Sequence, residues 1–101
     1  MYLLAFYVTE NQRHDSKLVH EWLLDQAREM GVSGGSAFRA MAGFGRHGHL
    51  HEDTFFELAG ELALKIEFVL EEATARQLLQ RVREQQPGVL YLCHTVEAGV
   101  L

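Results

Sequence analysis

Apolar and polar residues alternate along this chain with two periods, and the points where the period changes mark six elements. Tyr2 to Val8 is an unbroken apolar and aromatic run, the pattern of a central strand buried on both faces. Val19, Trp22, Leu23, Ala27 and Met30 then recur at helical spacing, with Asp15 or Ser16 as the expected N-cap and Gly31 as a left-handed C-cap. Ser36 to Phe44 returns to period two, setting Phe38, Ala40, Ala42 and Phe44 against Ala37, Arg39, Met41 and Gly43. Leu62 to Leu70 alternates again, with Leu64, Ile66, Phe68 and Leu70 on one side and Lys65 and Glu67 on the other. Ala75, Leu78, Leu79 and Val82 form the stripe of a second helix, for which Thr74 and Gln77 are the expected capping box and Gln86-Pro87-Gly88 the stop. Val89 to Val96 is the last expected strand.

Strand, helix, strand, strand, helix, strand is the split β-α-β order of a ferredoxin-like α+β domain, a four-stranded antiparallel sheet with both helices on one face. The other face is left without a cover. Leu3, Ala5 and Tyr7 alternate with Leu4, Phe6 and Val8, so both faces of the first strand are apolar and a partner subunit is expected on the open side. The RNA-recognition domain shares this order. Its basic and aromatic strand signature is missing from LALKIEFVL, which sets that reading aside.

At 101 residues and 48% hydrophobic composition, residues 1–101 read as a single domain able to build a modest core. The one cysteine, Cys93, has no internal partner, and no charged-then-apolar leader is recognisable, so a reducing, cytoplasmic setting is expected. No apolar run nears the roughly 20 residues of a membrane-spanning helix. A formal net charge of −5 argues against nucleic acid as a partner, because phosphate neutralisation needs a basic footprint.

The chemistry-bearing residues concentrate between Gly31 and Glu67, where a Gly- and His-rich connection too long for a tight hairpin joins two strands. Gly43-Phe44-Gly45 can turn backbone N–H groups toward a small anion, with Arg39, Arg46 and Lys65 supplying positive charge for phosphate or carboxylate. The plain alternative is that the glycines only end the strand and the cations face solvent or an interface. His47, His49 and His51 alternate ahead of Glu52 and Asp53, so three imidazoles on one side of an extended segment can converge on Zn²⁺ or Cu²⁺; ordinary polar loop histidines are the alternative. Phe55 and Phe56 are candidates for docking a partner protein or for packing back on the domain. His14 reads as a capping or surface residue, with help in anion binding at the helix N-terminus as the alternative; His20, Trp22, His94 and Cys93 read as structural, and Lys65 and Glu67, on one strand face, as a pair with each other or across a subunit interface. No nucleophile and base are brought together by the pattern, and no enzymatic activity is expected.

Four motifs carry a family resemblance: Gly31-Val32-Ser33-Gly34, Gly43-Phe44-Gly45-Arg46, Gly48-His49 and Lys65-Ile66-Glu67. In these the chain resembles the nitrogen regulatory PII signalling proteins. It is more similar still to the PII-like domain-of-unknown-function family number one-ninety, through the helix-ending Gly-x-x-Gly, Arg39, Gly43-Phe44-Gly45, His51 and Ile66-Glu67. Ala40 stands where that family usually has glycine and Ala63 where it has proline, and the glycine- and aspartate-rich phosphate loop of PII proteins has no counterpart at Gln85-Gln86-Pro87-Gly88. The resemblance implies a homotrimer whose inter-subunit clefts bind a small anionic ligand, a nucleotide or other metabolite with an adenine nucleotide among the candidates. Residues 45–61 would be a flexible T-loop-like segment signalling to a partner, a transporter or an enzyme. The implied ligand residues are Arg39, Gly43, Phe44, Gly45, Arg46, His51, Lys65 and Glu67. The rival implied by a similar architecture is a CutA-like trimer holding divalent metal on His47, His49 and His51.

Overall fold

A computed structural model describes residues 1–43, 62–86 and 88–101. The chain runs β1 (Tyr2–Thr9), β2 (Arg13–His14), β3 (Lys17–Leu18), α1 (Val19–Glu29), β4 (Gly35–Arg39), β5 (Ala63–Leu70), α2 (Glu72–Gln85) and β6 (Leu90–Thr95). The main sheet has the order β4-β5-β1-β6, and every neighbouring pair is antiparallel. This is the expected ferredoxin-like arrangement, with the unbroken apolar run of β1 at a central position.

Register explains the core. Leu4 lies opposite Phe68, Phe6 opposite Ile66 and Val8 opposite Leu64, which sets six apolar side chains on one face of the two central strands. Val19, Leu23 and Ala27 of α1 and Ala75, Leu78, Leu79 and Val82 of α2 join them in one buried cluster. Phe6 and Phe68 are the largest fully or almost fully buried side chains, and burying each contributes roughly 1.5–3 kcal/mol.

Two cap expectations are corrected. Asp15 and Ser16 do not cap α1; both have positive φ, +49° and +73°, and form the two-residue turn of a small hairpin in which Arg13 pairs with Leu18 and His14 with Lys17. The helix begins three residues later, and the first N–H, that of Val19, is satisfied by the Gln12 carbonyl at 2.8 Å across the hairpin rather than by a side chain. Lys17 pairs with Asp25 and ties the hairpin to α1. Thr74 and Gln77 form no capping box either, because α2 starts at Glu72 after an extended Glu71. The C-terminus of α1 is as expected: Gly31 has φ +83°, its N–H reaches the Arg28 carbonyl at 3.0 Å, and that of Val32 reaches Ala27 at 3.0 Å, the double bond of a Schellman motif.

β4 is shorter than its alternation suggested. It stops at Arg39, although Ala40 still donates to the Ala63 carbonyl at 2.9 Å, and residues 41–43 leave the sheet. A strand at the sheet edge has one neighbour to hold it, so alternation alone does not extend it.

Candidate functional site

The face of the sheet away from the helices is made by the other half of each register. It carries Ser36 and Phe38 from β4, Lys65, Glu67 and Val69 from β5, Leu3, Ala5 and Tyr7 from β1, and Leu90, Leu92 and His94 from β6. Phe38 and Leu92 are each 49% exposed, which is high for large apolar groups on a sheet face. Besides Ser36 and His94, this surface carries the expected charged pair: Lys65 Nζ lies 3.3 Å from Glu67 and 5.4 Å from the centre of the Phe38 ring.

At the outer corner of this face an open hollow of about 340 Å³ is lined by Ser33, Gly34, Gly35, Ser36, Glu67, Phe68 and Val69. Its position follows from the register. β4 joins the sheet at Gly35, opposite Phe68, so β5 from Val69 onward runs past the end of its neighbour and leaves its outer backbone edge uncovered. The Ser33–Gly34 approach supplies no bulky side chain, and Glu67 sets a carboxylate beside it.

The candidate cations do not converge within one chain. Lys65 projects to the open face, whereas Arg39, opposite Leu64, projects to the helix side and donates from Nε to Glu10 Oε2 at 2.9 Å. Arg39 and Lys65 therefore flank the start of β5 on opposite faces. Gly43 is in open surroundings after β4. Phe44, Gly45, Arg46, His47, His49, His51, Phe55 and Phe56, and with them the 45–61 segment, lie outside the described residues. Among the described residues no group of three or more His, Cys, Asp or Glu is arranged to hold a metal.

Two features of this region were not visible in the motifs. Glu10 is the partner of Arg39 from 29 positions away, and only its place as the first charge after an apolar strand marked it. Gly35 matters for contact rather than for φ: a Cβ there would meet Phe68 Cε1 at 2.4 Å.

An antiparallel β4-β5-β1-β6 sheet backed by two helices is a ferredoxin-like α+β arrangement, and its solved neighbours have the PII-like form of it. The fold is matched by the structure of CPII bound to ADP and bicarbonate from Thiomonas intermedia K12, with a TM-score of 0.65, 19% identity, and 98% of this chain and 88% of that one covered. A protein of Thermus thermophilus described as PII-like and signalling matches with a TM-score of 0.59 and 18% identity, over 92% of this chain and 81% of that one. The chain belongs to the DUF190 family (Uncharacterized ACR), whose model matches residues 1–98. In sequence it is 28% identical over 90 residues to the UPF0166 protein of Aquifex aeolicus (strain VF5), covering 89% of this chain and 86% of that relative.

Proposed function

We propose that this protein is a PII-like signalling module that binds a small anionic ligand, an adenine nucleotide with or without bicarbonate, in clefts between the subunits of a homotrimer. The observation that carries the reading is the corner hollow at the start of β4, the strand whose far end leads into the 45–61 connection. The fold shared with a protein whose structure holds ADP and bicarbonate supports it. Glu67 sets the polarity of the cleft. Its carboxylate accepts hydrogen bonds from hydroxyl or amino groups, so the sugar or base end of the ligand belongs in the hollow; of the cations the resemblance implies for the anionic end, Lys65 lies on the same face, 3.3 Å from Glu67, and Arg39 lies at the far end of β4 on the helix side. The uncovered edge of β5 near Val69 offers backbone groups to a heteroaromatic ring.

An exposed corner of about 340 Å³ is at the small end for a ligand site, and a second subunit seated on the apolar face would supply the missing wall. Ordering of the 45–61 segment by the bound anion would then present or withdraw a surface for a partner protein. The test is calorimetric titration of the full chain with ADP, alone and with bicarbonate, together with light scattering. Saturable ADP binding by a trimer, weakened in Arg39→Ala, supports the proposal. Absence of nucleotide and bicarbonate binding, with Zn²⁺ or Cu²⁺ uptake lost when His47, His49 and His51 are replaced by alanine, would replace it with the metal-binding reading.

A further inference from the structure

We infer that copies of this chain join edge to edge, β6 of one copy pairing antiparallel with β4 of the next in the register that sets Leu92 opposite Phe38. The inference rests on the homotrimer reading above and names the strands that form its interfaces. Among the described residues β4 and β6 are the two edges of the sheet and its least buried strands: every residue of β4 is exposed, and every residue of β6 except Cys93. The β6 sequence LYLCHT carries no Lys, Arg, acidic residue or proline, the groups that keep a free edge from pairing. It holds Leu90, Tyr91 and Leu92 at 38%, 45% and 49% exposure instead.

The backbone fixes which groups are free to pair. Ala40 donates to the Ala63 carbonyl and Val96 to that of Met1, each at 2.9 Å, so the even-numbered residues of both edge strands bond inward. Gly35, Ala37 and Arg39 of β4 and Tyr91, Cys93 and Thr95 of β6 therefore turn their N–H and C=O groups outward, three positions at the same spacing on each edge. Neighbours are antiparallel across all four strands, so β4 and β6 run in opposite directions, and rotation about an axis along the strands brings them together antiparallel. The register that matches all three outward positions sets Tyr91 against Arg39, Cys93 against Ala37 and Thr95 against Gly35. Side chains then agree as well. Leu92 meets Phe38 on the open face, joining two apolar groups that are each 49% exposed in the single chain, and His94 meets Ser36, a partner for its hydrogen bond. On the helix side Arg39 can lie on the Tyr91 ring, and Ala37 leaves room for Cys93. Pairing β6 with another β6 about Cys93 would set Leu92 against His94 and leave Phe38 and the β4 edge uncovered. The next copy also reaches the corner hollow, because its chain after Thr95 runs on past Gly34.

The experiment is oxidative cross-linking of the full chain, using Cys93, its single cysteine, together with Ala37→Cys. Facing residues of a bonded antiparallel pair have Cα atoms about 5.5 Å apart, within disulfide reach. Ala37 and Cys93 of one chain are three strands apart, at least about 14 Å, so any link joins two copies. Ala37→Cys should give disulfide-linked trimers on a non-reducing denaturing gel, and Ser36→Cys, on the other face, should stay at monomer size. In a second arm, Phe38→Lys and Leu92→Glu should each dissociate the assembly in light scattering, and the double variant, which sets the two charges face to face, should restore it. Cross-linking or rescue supports the pairing. A trimer that shows neither, or a parent that cross-links through Cys93 alone, would overturn it while leaving the trimer reading standing. A monomeric parent would overturn both.

Discussion

Adding one methyl group at Gly35 should destabilise the fold although the position lies at an exposed sheet edge. An ideal Cβ there falls 2.4 Å from Phe68 Cε1, 2.6 Å from Phe68 Cδ1 and 3.2 Å from Leu24 Cδ2. Carbon atoms prefer separations of about 3.5–4.0 Å, so the Phe68 ring must retreat by about an ångström. It has nowhere to go: Phe68 is 2% exposed and lies opposite Leu4 in the most buried part of the sheet. Overpacking of this kind costs about 1–3 kcal/mol, and the reduced freedom of the unfolded chain in Gly→Ala returns about 0.4–1 kcal/mol. The net loss is about 1–2 kcal/mol, equivalent to a fall in Tm of about 4–16 °C for a domain of this size. Gly34→Ala is the control, since nothing lies within 4 Å of a Cβ there and its φ is ordinary. It should be neutral or stabilising by up to about 1 kcal/mol. The assay is chemical and thermal denaturation at one fixed protein concentration, repeated in a Phe68→Leu background where the ring is gone. Gly35→Ala no worse than Gly34→Ala would refute the steric argument, as would a Gly35→Ala penalty undiminished by Phe68→Leu.

Gly31→Ala has open space for its methyl but must hold φ near +83°, so it should lose about 1 kcal/mol through backbone strain, measured by urea unfolding. The Lys17–Asp25 pair gives a pH signature. Its hydrogen bond to Lys17 is the main cause holding Asp25 below its ordinary 3.8, so that share of stability is present above 3.8 and fades as pH falls through the lower folded value. The same bond raises Lys17 above 10.5, so its share is present below 10.5 and fades as pH rises through the higher folded value. A Lys17→Met, Asp25→Asn double-mutant cycle should therefore show coupling at neutral pH and none at either extreme, and pH-independent coupling would contradict the assignment. Leu92→Glu places a charge in the middle of the apolar open face, opposite Ala5, and should convert the proposed trimer to monomers by light scattering at micromolar concentration. ADP at about a hundred times its Kd should stabilise the parent by about 2.7 kcal/mol, and Arg39→Ala should lose part of that shift at the same ADP concentration.

Little of the corner hollow was legible in the sequence: of its lining residues, only Glu67 had been singled out for ligand contact. Glu67 was marked by its motif and does line the corner hollow; Lys65 and Glu67 were expected on one face and are paired there. Arg39 and Lys65 were grouped by proximity along the loop ends, yet the antiparallel register assigns them to opposite faces. A strand's alternation says which of its own residues share a side but not how one strand's phase aligns with its neighbour's. The hollow itself had no motif, because it is a place where one strand ends beside another that continues.

The local pattern determined the element order, the helix stripes and their faces, the central position of β1 and the Gly31 stop, since each depends on residues within a turn or two of one another. Tertiary structure alone decided that Asp15 and Ser16 turn a hairpin instead of capping a helix, because the Gln12 carbonyl was there to take the Val19 N–H. It decided that Gly35 must lack a side chain, because Phe68 from another strand fills the space. It decided also that Arg39 meets Glu10, a contact that exists only once β5 has been inserted between β4 and β1. Periodicity is a property of neighbours along the chain, whereas these contacts depend on how separate segments align when the sheet closes, and no short-range pattern encodes that alignment.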